Sequence, residues 1–491
     1  MIFSALMLAA CPQVNFSRYV LDIPGEIIET QRVDANRDGK VEVWLASYDE
    51  GRRYLSYFEQ LPSGGFPAQP AKKFPVSKAV VGWAIGNFTA EEGAVQPELL
   101  FTTRNAVYLQ ALTGRPQKIF EQEFLLDLPA EDALPVWEEV LDIDGDGLDE
   151  IVLPTREGYL ILRGSGEAMA HIPWQPRDAR MPVATRDLFG GKAKATVSSN
   201  KLSDLFVPDE SAGILEKPPL LYTAISLPRP TLDDINGDGL VDFCFLEENQ
   251  IRIHFQTSGH TFKPKPQKKF KLPPASGADN EELRWGQWGG GPQADLLMMR
   301  SESSWSLSSD WTIRIWIDAY SEEKLGQPTF IRKAEGSWVA PYLNDVNADG
   351  LTDLVISAWQ LDIGLTLSEP SVEHNLYLFR GNEQGGFETR AAISHTRDYA
   401  VGDLDTFSLV PALTADLTGD GNLNLLENSG KGELEIHHVV EGNQFRISDA
   451  VQRIPVDALA AVVLLEDLNN DQIGDLLVRH YSHWEIYLSR G

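Results

Sequence analysis

The chain has 491 residues, with 42 Lys+Arg against 72 Asp+Glu and a formal net charge of −30. That charge repels polyanions and leaves little to gain from counterion release, which argues against nucleic acid as a partner. A hydrophobic fraction of 43% with 12 Trp, 21 Phe and 13 Tyr excludes disorder as the main state, and two cysteines, Cys11 and Cys244, exclude a disulfide scaffold.

The chain opens on an apolar run that reaches Cys11. Leu8-Ala9-Ala10-Cys11 resembles the lipobox of bacterial lipoproteins. The resemblance implies a signal peptide over residues 1–10, lipidation at Cys11, a tether over 11–14 and a bacterial cell-envelope location, lipid-anchored periplasmic or surface-exposed; secretion is the alternative. No Lys or Arg precedes the run, and it is shorter than the roughly 15–30 residues of a secretory signal. The expectation is therefore a truncated signal that starts upstream, against an ordinary apolar N-terminus. The longest other apolar run, the eight residues Ala458 to Leu465, is far short of the about 18–20 a membrane helix needs.

From Asp34 onward one pattern recurs. It reads Asp34, Asn36, Asp38, Gly39, Glu42; then Asp142, Asp144, Asp146, Gly147, Glu150; then Asp234, Asn236, Asp238, Gly239, Asp242; then Asp345, Asn347, Asp349, Gly350, Asp353. Two weaker copies follow. Asp416, Thr418, Asp420, Gly421, Asn424 loses the third and ninth carboxylates, and Asp467, Asn469, Asp471, Gln472, Asp475 replaces the Gly. Each copy leads directly into a β-rich run such as Val43-Trp-Leu-Ala or Leu354-Val-Ile-Ser. The gaps between 34 and 142 and between 234 and 345 are each near twice the step from 416 to 467, which exposes silent copies at Gly86-Asn87 and at Trp285 to Asp295. A further strand follows each, from Tyr54-Leu-Ser-Tyr-Phe to Trp484-Glu-Ile-Tyr-Leu, so the chain contains eight units.

Eight all-β units of about four short strands predict an eight-bladed β-propeller of four-stranded antiparallel blades over residues 15–491; seven blades, or two sandwiches, are the alternatives. The loops resemble those of the FG-GAP/VCBS repeat family, the integrin-α-like propellers, whose blades carry a D-x-[DN]-x-D-G-x-x-[DE] calcium loop between first and second strands. Several units end on Leu-Pro or Ile-Pro, at Phe124–Pro129, Phe270–Pro273 and Val451–Pro455, while the last unit lacks such a strand and the chain begins with one at Phe16–Pro24. The N-terminus is expected to complete the last blade, pairing edges otherwise open. An insertion at about 165–219 falls between the expected third and fourth strands of unit three, Tyr159–Arg163 and Leu221–Pro228. Long surface insertions cost little.

Alternate Asp or Asn at positions 1, 3 and 5, a carbonyl at 7 and an acid at 9 make a shell of hard oxygens that suits Ca²⁺ better than Mg²⁺. The expected ligands are Asp34, Asn36, Asp38, Lys40, Glu42; Asp142, Asp144, Asp146, Leu148, Glu150; Asp234, Asn236, Asp238, Leu240, Asp242; Asp345, Asn347, Asp349, Leu351, Asp353; and Asp467, Asn469, Asp471, Ile473, Asp475, with position 7 acting through its carbonyl. The 416 loop is left open and the silent loops are expected to be empty. Metal-free Asx turns use the same residue types.

No metalloprotease, hydrolase-elbow or P-loop motif is present. His437-His438 is read as one side chain on each face of a strand, Cys244 as a buried inert thiol, and Trp285 and Trp288 as packing. On the face opposite the loops, Trp305, Asp310 and Trp311 of the fifth blade, Trp359 and Asp362 of the sixth, and Asp398, Tyr399, Asp403 and Asp405 of the next connection mix aromatics with carboxylates as ligand sites do. Two functions stand: a calcium-stabilised module that binds a protein or glycan outside the cytoplasm, or a polysaccharide-lyase-like enzyme, some of which resemble eight-bladed calcium propellers.

Overall fold

A strand buried on both faces reads as a continuous apolar run rather than an alternating one. Val43-Trp44-Leu45-Ala46 is such a run: Trp44 and Ala46 pack to one side of their sheet, and Val43 and Leu45 to the other. The computed structural model describes residues 14–34, 36, 38–89, 97–126, 130–174, 177–179, 224–226, 229–247, 250–272, 278–302, 309–320, 327–362, 371–400, 412–429, 432–440, 445–456, 462–480 and 483–490. Among them are eight four-stranded antiparallel sheets, one two-stranded ribbon and no helix. The blades span 26–76, 80–121, 140–173, 230–271, 278–336, 338–400, 412–455, and 462–490 together with 15–22.

The core is a ring of shared interfaces. Each of eight apolar clusters draws on two consecutive blades, from Trp44 with Trp83 between blades 1 and 2 to Leu426 with Leu476 between blades 7 and 8. The last cluster joins Leu477, Trp484 and Ile486 of blade 8 to Val43, Leu45 and Phe58 of blade 1, which closes the circle. The N-terminal strand Asn15–Asp22 supplies the outer edge of blade 8, pairing antiparallel with His483–Arg490 in the register Asn15↔Arg490 to Asp22↔His483. Arg18 on this strand binds the buried Glu485 of its neighbour.

Two strand assignments are corrected. Blade 2 is closed by Gln117–Glu121, not by the Phe124–Pro129 segment. Phe124 is buried instead in a connecting segment, its N–H donating to the Arg104 carbonyl, and packs between blades 2 and 3. Blade 3 is closed by Ala168–Pro173, which returns from Gly158–Leu162 through a tight turn at Arg163–Gly166 and satisfies the open edge at once. The insertion therefore lies between blades 3 and 4, and its described parts, Arg177–Ala179 and Ala224–Ser226, pair as the ribbon. The expected signal peptide at 1–10 and residues 11–13 of the expected tether, Cys11 among them, lie outside the described residues.

Candidate functional site

In six blades the turn from first to second strand has one geometry. The position-1 Asp accepts the position-6 N–H at 2.7–2.9 Å, from Gly39 on Asp34 to Gln472 on Asp467. The position-5 Asp accepts the position-7 N–H at 2.8–3.0 Å, from Lys40 on Asp38 to Ile473 on Asp471. These bonds fold the loop around its own carboxylates. Position 6 needs a left-handed backbone, which Gly supplies freely and Gln472 adopts at φ 68.

The ninth residue is the first of each second strand and is buried. Glu150, Asp242, Asp353 and Asp475 each accept the N–H of loop position 2, from Ile143, Ile235, Val346 and Leu468 at 2.9, 3.2, 3.2 and 2.7 Å. Asn424 does the same from Leu417. A second oxygen takes an N–H at the exit of the third strand: Gln256 on Asp242, Gly381 on Asp353 and Ser489 on Asp475. Burial, added to by neighbouring loop carboxylates, pushes Glu150 and Asp242 up to about 7, and Asp353 and Asp475 up to about 6.

Successive loops are stitched together. The N–H at position 8 donates to the position-2 carbonyl of the preceding blade: Ala294 to Ile235, Leu423 to Val346, Asp149 to Asn87 and, across the chain ends, Val41 to Leu468. Gly474 makes the equivalent bond to Asp416.

Two loops bring their carboxylates closest. Oxygens of Asp34, Asp38 and Glu42, and of Asp142, Asp144 and Asp146, lie within 4.8 Å of one another. Opposite ligands around a Ca²⁺ at 2.3–2.6 Å would stand about 4.6–5.2 Å apart, so the donor set fits that ion. At Asp144 a side chain already contributes a positive charge, Arg163 at 2.7 Å; Arg380 stands 3.4 Å from Asp349. In the 416 loop, Asn424 and the nearby His438 ring, 3.3 Å from Asp420, replace carboxylate character.

Sequence reasoning missed the part of the pattern that outlives the motif. The silent loops keep an acid at the head of the second strand. Asp295 accepts N–H bonds from Trp288, Gly289 and Asp318 at 2.6, 2.6 and 2.7 Å, and Glu98 accepts the Thr89 hydroxyl at 2.8 Å. An acid immediately before an apolar run is the signal that would have marked seven of the eight, Asn424 being the exception.

On the opposite side the aromatics named as ligand residues are packed inward. Trp311 is buried and donates to the Gly336 carbonyl at 3.0 Å. Trp359 stacks on His374 at 3.9 Å and lies 6.0 Å from the buried Tyr399. Asp310 and Asp398 are exposed, and Asp362 ends its strand opposite Ser371. Trp305, Asp403 and Asp405 lie outside the described residues. Trp285 is packed in the core and Cys244 is buried, its thiol pushed up to about 12 by burial.

Between blades 6 and 7 the structure also assembles a polar cluster. The Glu427 carboxylate takes His395 and Arg397 at 3.0 Å each and faces His374 and His437 at 4.0 and 3.7 Å. Arg397 also reaches Glu435 at 2.9 Å. Although burial alone would raise it, hydrogen bonds and charge from His395 and Arg397 bring Glu427 down to about 2. Burial drives His374 down to about 4. His437 faces this cluster while His438 faces Asp420, as alternation on a strand requires.

No family model and no curated protein matches the chain. Among solved structures it is similar to the V. cholerae biofilm matrix protein Bap1, with 11% identity and a TM-score of 0.39 over 99% of this chain and 90% of that one. It is similar to an Agrocybe aegerita lectin that recognises non-reducing terminal N-acetylglucosamine, with 14% identity and a TM-score of 0.37 over 90% and 91%. It also resembles BBS1N in complex with ARL6DN, with 9% identity and a TM-score of 0.37 over 97% of each. Likeness at this level carries no argument about what this chain binds.

Two predictions follow from the hydrogen bonding. Asp295→Ala strands three part-buried N–H donors and should cost about 2–4 kcal/mol in urea denaturation, at about 1–3 kcal/mol for each stranded group with partial relaxation; the loss should be the same with and without a chelator. A loss below about 0.5 kcal/mol, the range of ordinary surface changes, would refute the bridging role. Glu427 has a folded pKa depressed from 4.5 to about 2, so its contribution is complete above about pH 4.5 and disappears as pH falls toward 2. The stability gap between wild type and Glu427→Gln should therefore be widest near neutrality and narrow below pH 4.5; a gap independent of pH would show that the carboxylate charge is not what holds blades 6 and 7.

Proposed function

We propose that the chain is a non-enzymatic, calcium-stabilised β-propeller that binds a protein or glycan outside the cytoplasm. The observation that carries the calcium part is the ring of acidic loops. Buried carboxylates with strongly raised proton affinity, gathered with exposed ones in the same turn, describe sites short of positive charge, and hard oxygens of that number favour Ca²⁺. Asp34, Asn36, Asp38 and Glu42, and their counterparts in the 142, 234, 345 and 467 loops, would hold the ions. A bound ion supplies charge neutralisation and fixes the turn. Extracellular calcium modules bind at about 10⁻⁴–10⁻³ M, which suits a secreted or cell-envelope location.

The ligand is assigned to the connections of blades 5, 6 and 7 opposite the loops. There Asp310 and Asp398 are exposed above the packed rings of Trp311, Trp359 and Tyr399, and rigid elements beneath variable connections are where binding surfaces are built. A lyase would need an acid and a base facing substrate. The Glu427 cluster has suitable residue types, but its carboxylate is committed to His395 and Arg397 within the blade interface.

Calorimetry of the chelated protein should give a lower melting temperature than in millimolar calcium, because an ion that binds only the folded state stabilises it by mass action. Equal melting temperatures together with no bound metal in elemental analysis would overturn the calcium reading. A glycan array and an affinity pull-down from the native organism should each be tested with an Asp310→Ala/Asp398→Ala variant. Binding that survives unchanged in the variant would remove the proposed face.

A further inference from the structure

Blade 8 carries a second kind of donor group, away from the acidic loops, in the turn between its second and third strands. His480 donates its N–H to the His483 carbonyl at 3.0 Å, so the two residues face each other across the antiparallel pair of strands. Directly opposed residues project from the same side of an antiparallel pair, and Glu485, two residues along the strand from His483, projects with them. The two imidazoles stack with centroids 4.3 Å apart and an interplanar angle of 7°.

The three side chains converge without hydrogen-bonding one another. His480 Nε2 stands 3.7 Å from one Glu485 oxygen and His483 Nε2 3.6 Å from the other, and all three donor atoms lie within 4.8 Å of one another. These separations are too long for hydrogen bonds. They are close to the edge of a coordination tetrahedron, about 3.4 Å for metal–N and metal–O distances of 2.0–2.2 Å. His480 is 3% exposed and its Nε2 has no hydrogen-bond partner, an arrangement that needs a reason in a folded protein. Glu485 is fully buried and oriented by the Tyr487 hydroxyl at 2.7 Å, as outer-shell partners orient metal ligands, and in the metal-free chain Arg18 supplies its positive charge. His483 is partly exposed and leaves a way in from solvent.

We propose that His480, His483 and Glu485 form a site for a borderline transition-metal dication of the Zn²⁺ class, independent of the calcium loops. Two imidazoles and one carboxylate select such an ion over Ca²⁺, which takes oxygen ligands only. The rings turn about their broad χ2 minima to aim both nitrogens at one point, water takes the remaining position, and Arg18, whose side chain is 51% exposed, withdraws from Glu485 to solvent.

The full chain, chelated and then returned to millimolar calcium to occupy the acidic loops, is titrated with zinc by calorimetry and with Co²⁺ by visible absorption. One equivalent should bind, and the Co²⁺ complex should show the intense d–d bands of a tetrahedral site. His483→Gln and His480→Ala should each weaken binding by more than about a hundredfold, since even outer-shell partners are worth about 10–100-fold. Arg18→Ala should bind as tightly as wild type or more so. His483→Gln changes a partly exposed side chain, so the test survives if His480→Ala fails to fold. Absence of saturable zinc binding in calcium, or a stoichiometry that both His483→Gln and a folded His480→Ala leave unchanged, would overturn the site and assign any uptake to scattered surface histidines.

Discussion

Every second strand of the ring begins with a residue that can accept hydrogen bonds from main chain or loop: Glu42, Glu98, Glu150, Asp242, Asp295, Asp353, Asn424 and Asp475. Most are buried, and burying a carboxylate is expensive unless its lone pairs are used. At Asp242, Asp353 and Asp475 they are used on backbone. One oxygen holds the loop entering the strand, and the other holds the chain leaving the third strand. The acid thereby fixes the relative position of three strands at one end of the blade, where the chain turns and the ladder can no longer do so. Asp295 shows that this role does not require the rest of the acidic motif.

The same position sets the ring as well as the blade. Its preceding residue donates to the loop of the blade before, so a loop clamped by its own head acid presents a fixed carbonyl to the next blade. The bond from Val41 to Leu468 carries this arrangement across the junction of first and last blades. There the N-terminal strand has already removed the open edge of blade 8, and Leu21 and Ile23 are packed beneath it. Closure thus rests on three layers: ladder pairing, an apolar interface and a loop-to-loop hydrogen bond.

Blade number, the closing strand and the six acidic turns were legible because each has a local signature: a fixed spacing, a terminal Ile-Pro, an Asp-x-Asx-x-Asp frame. The closing strand of blade 2 was misplaced because Gln117–Glu121 lies on an outer edge and carries little apolar signal, whereas the apolar Phe124 segment packs without pairing; that of blade 3, Ala168–Pro173, does end on Ile172-Pro173, but the later Leu227-Pro228 competes for the same role. The Glu427 cluster joins residues of different blades through the blade 6 and blade 7 interface, and spacing within one strand cannot announce it. His480-x-x-His483-x-Glu485 is different. It is readable once His480 and His483 are known to face each other across paired strands, and only the strand register supplies that.

The two ends of the blades treat negative charge in opposite ways. At the loop end, Asp242, Asp353 and Asp475 are satisfied by N–H and hydroxyl groups, which carry no net charge, and their proton affinity rises. Away from the loops, Glu427 is met by His and Arg side chains and is held well below the usual carboxylate range. Glu427, committed to side chains of its own blade interface, is complete as it stands, while an acid satisfied only by dipoles remains short of positive charge and gains from any cation that fits. Arg163 beside Asp144 and Arg380 beside Asp349 supply part of that charge from the chain itself. The 234 and 467 loops show no such Arg among the described residues, so an external ion has most to contribute there.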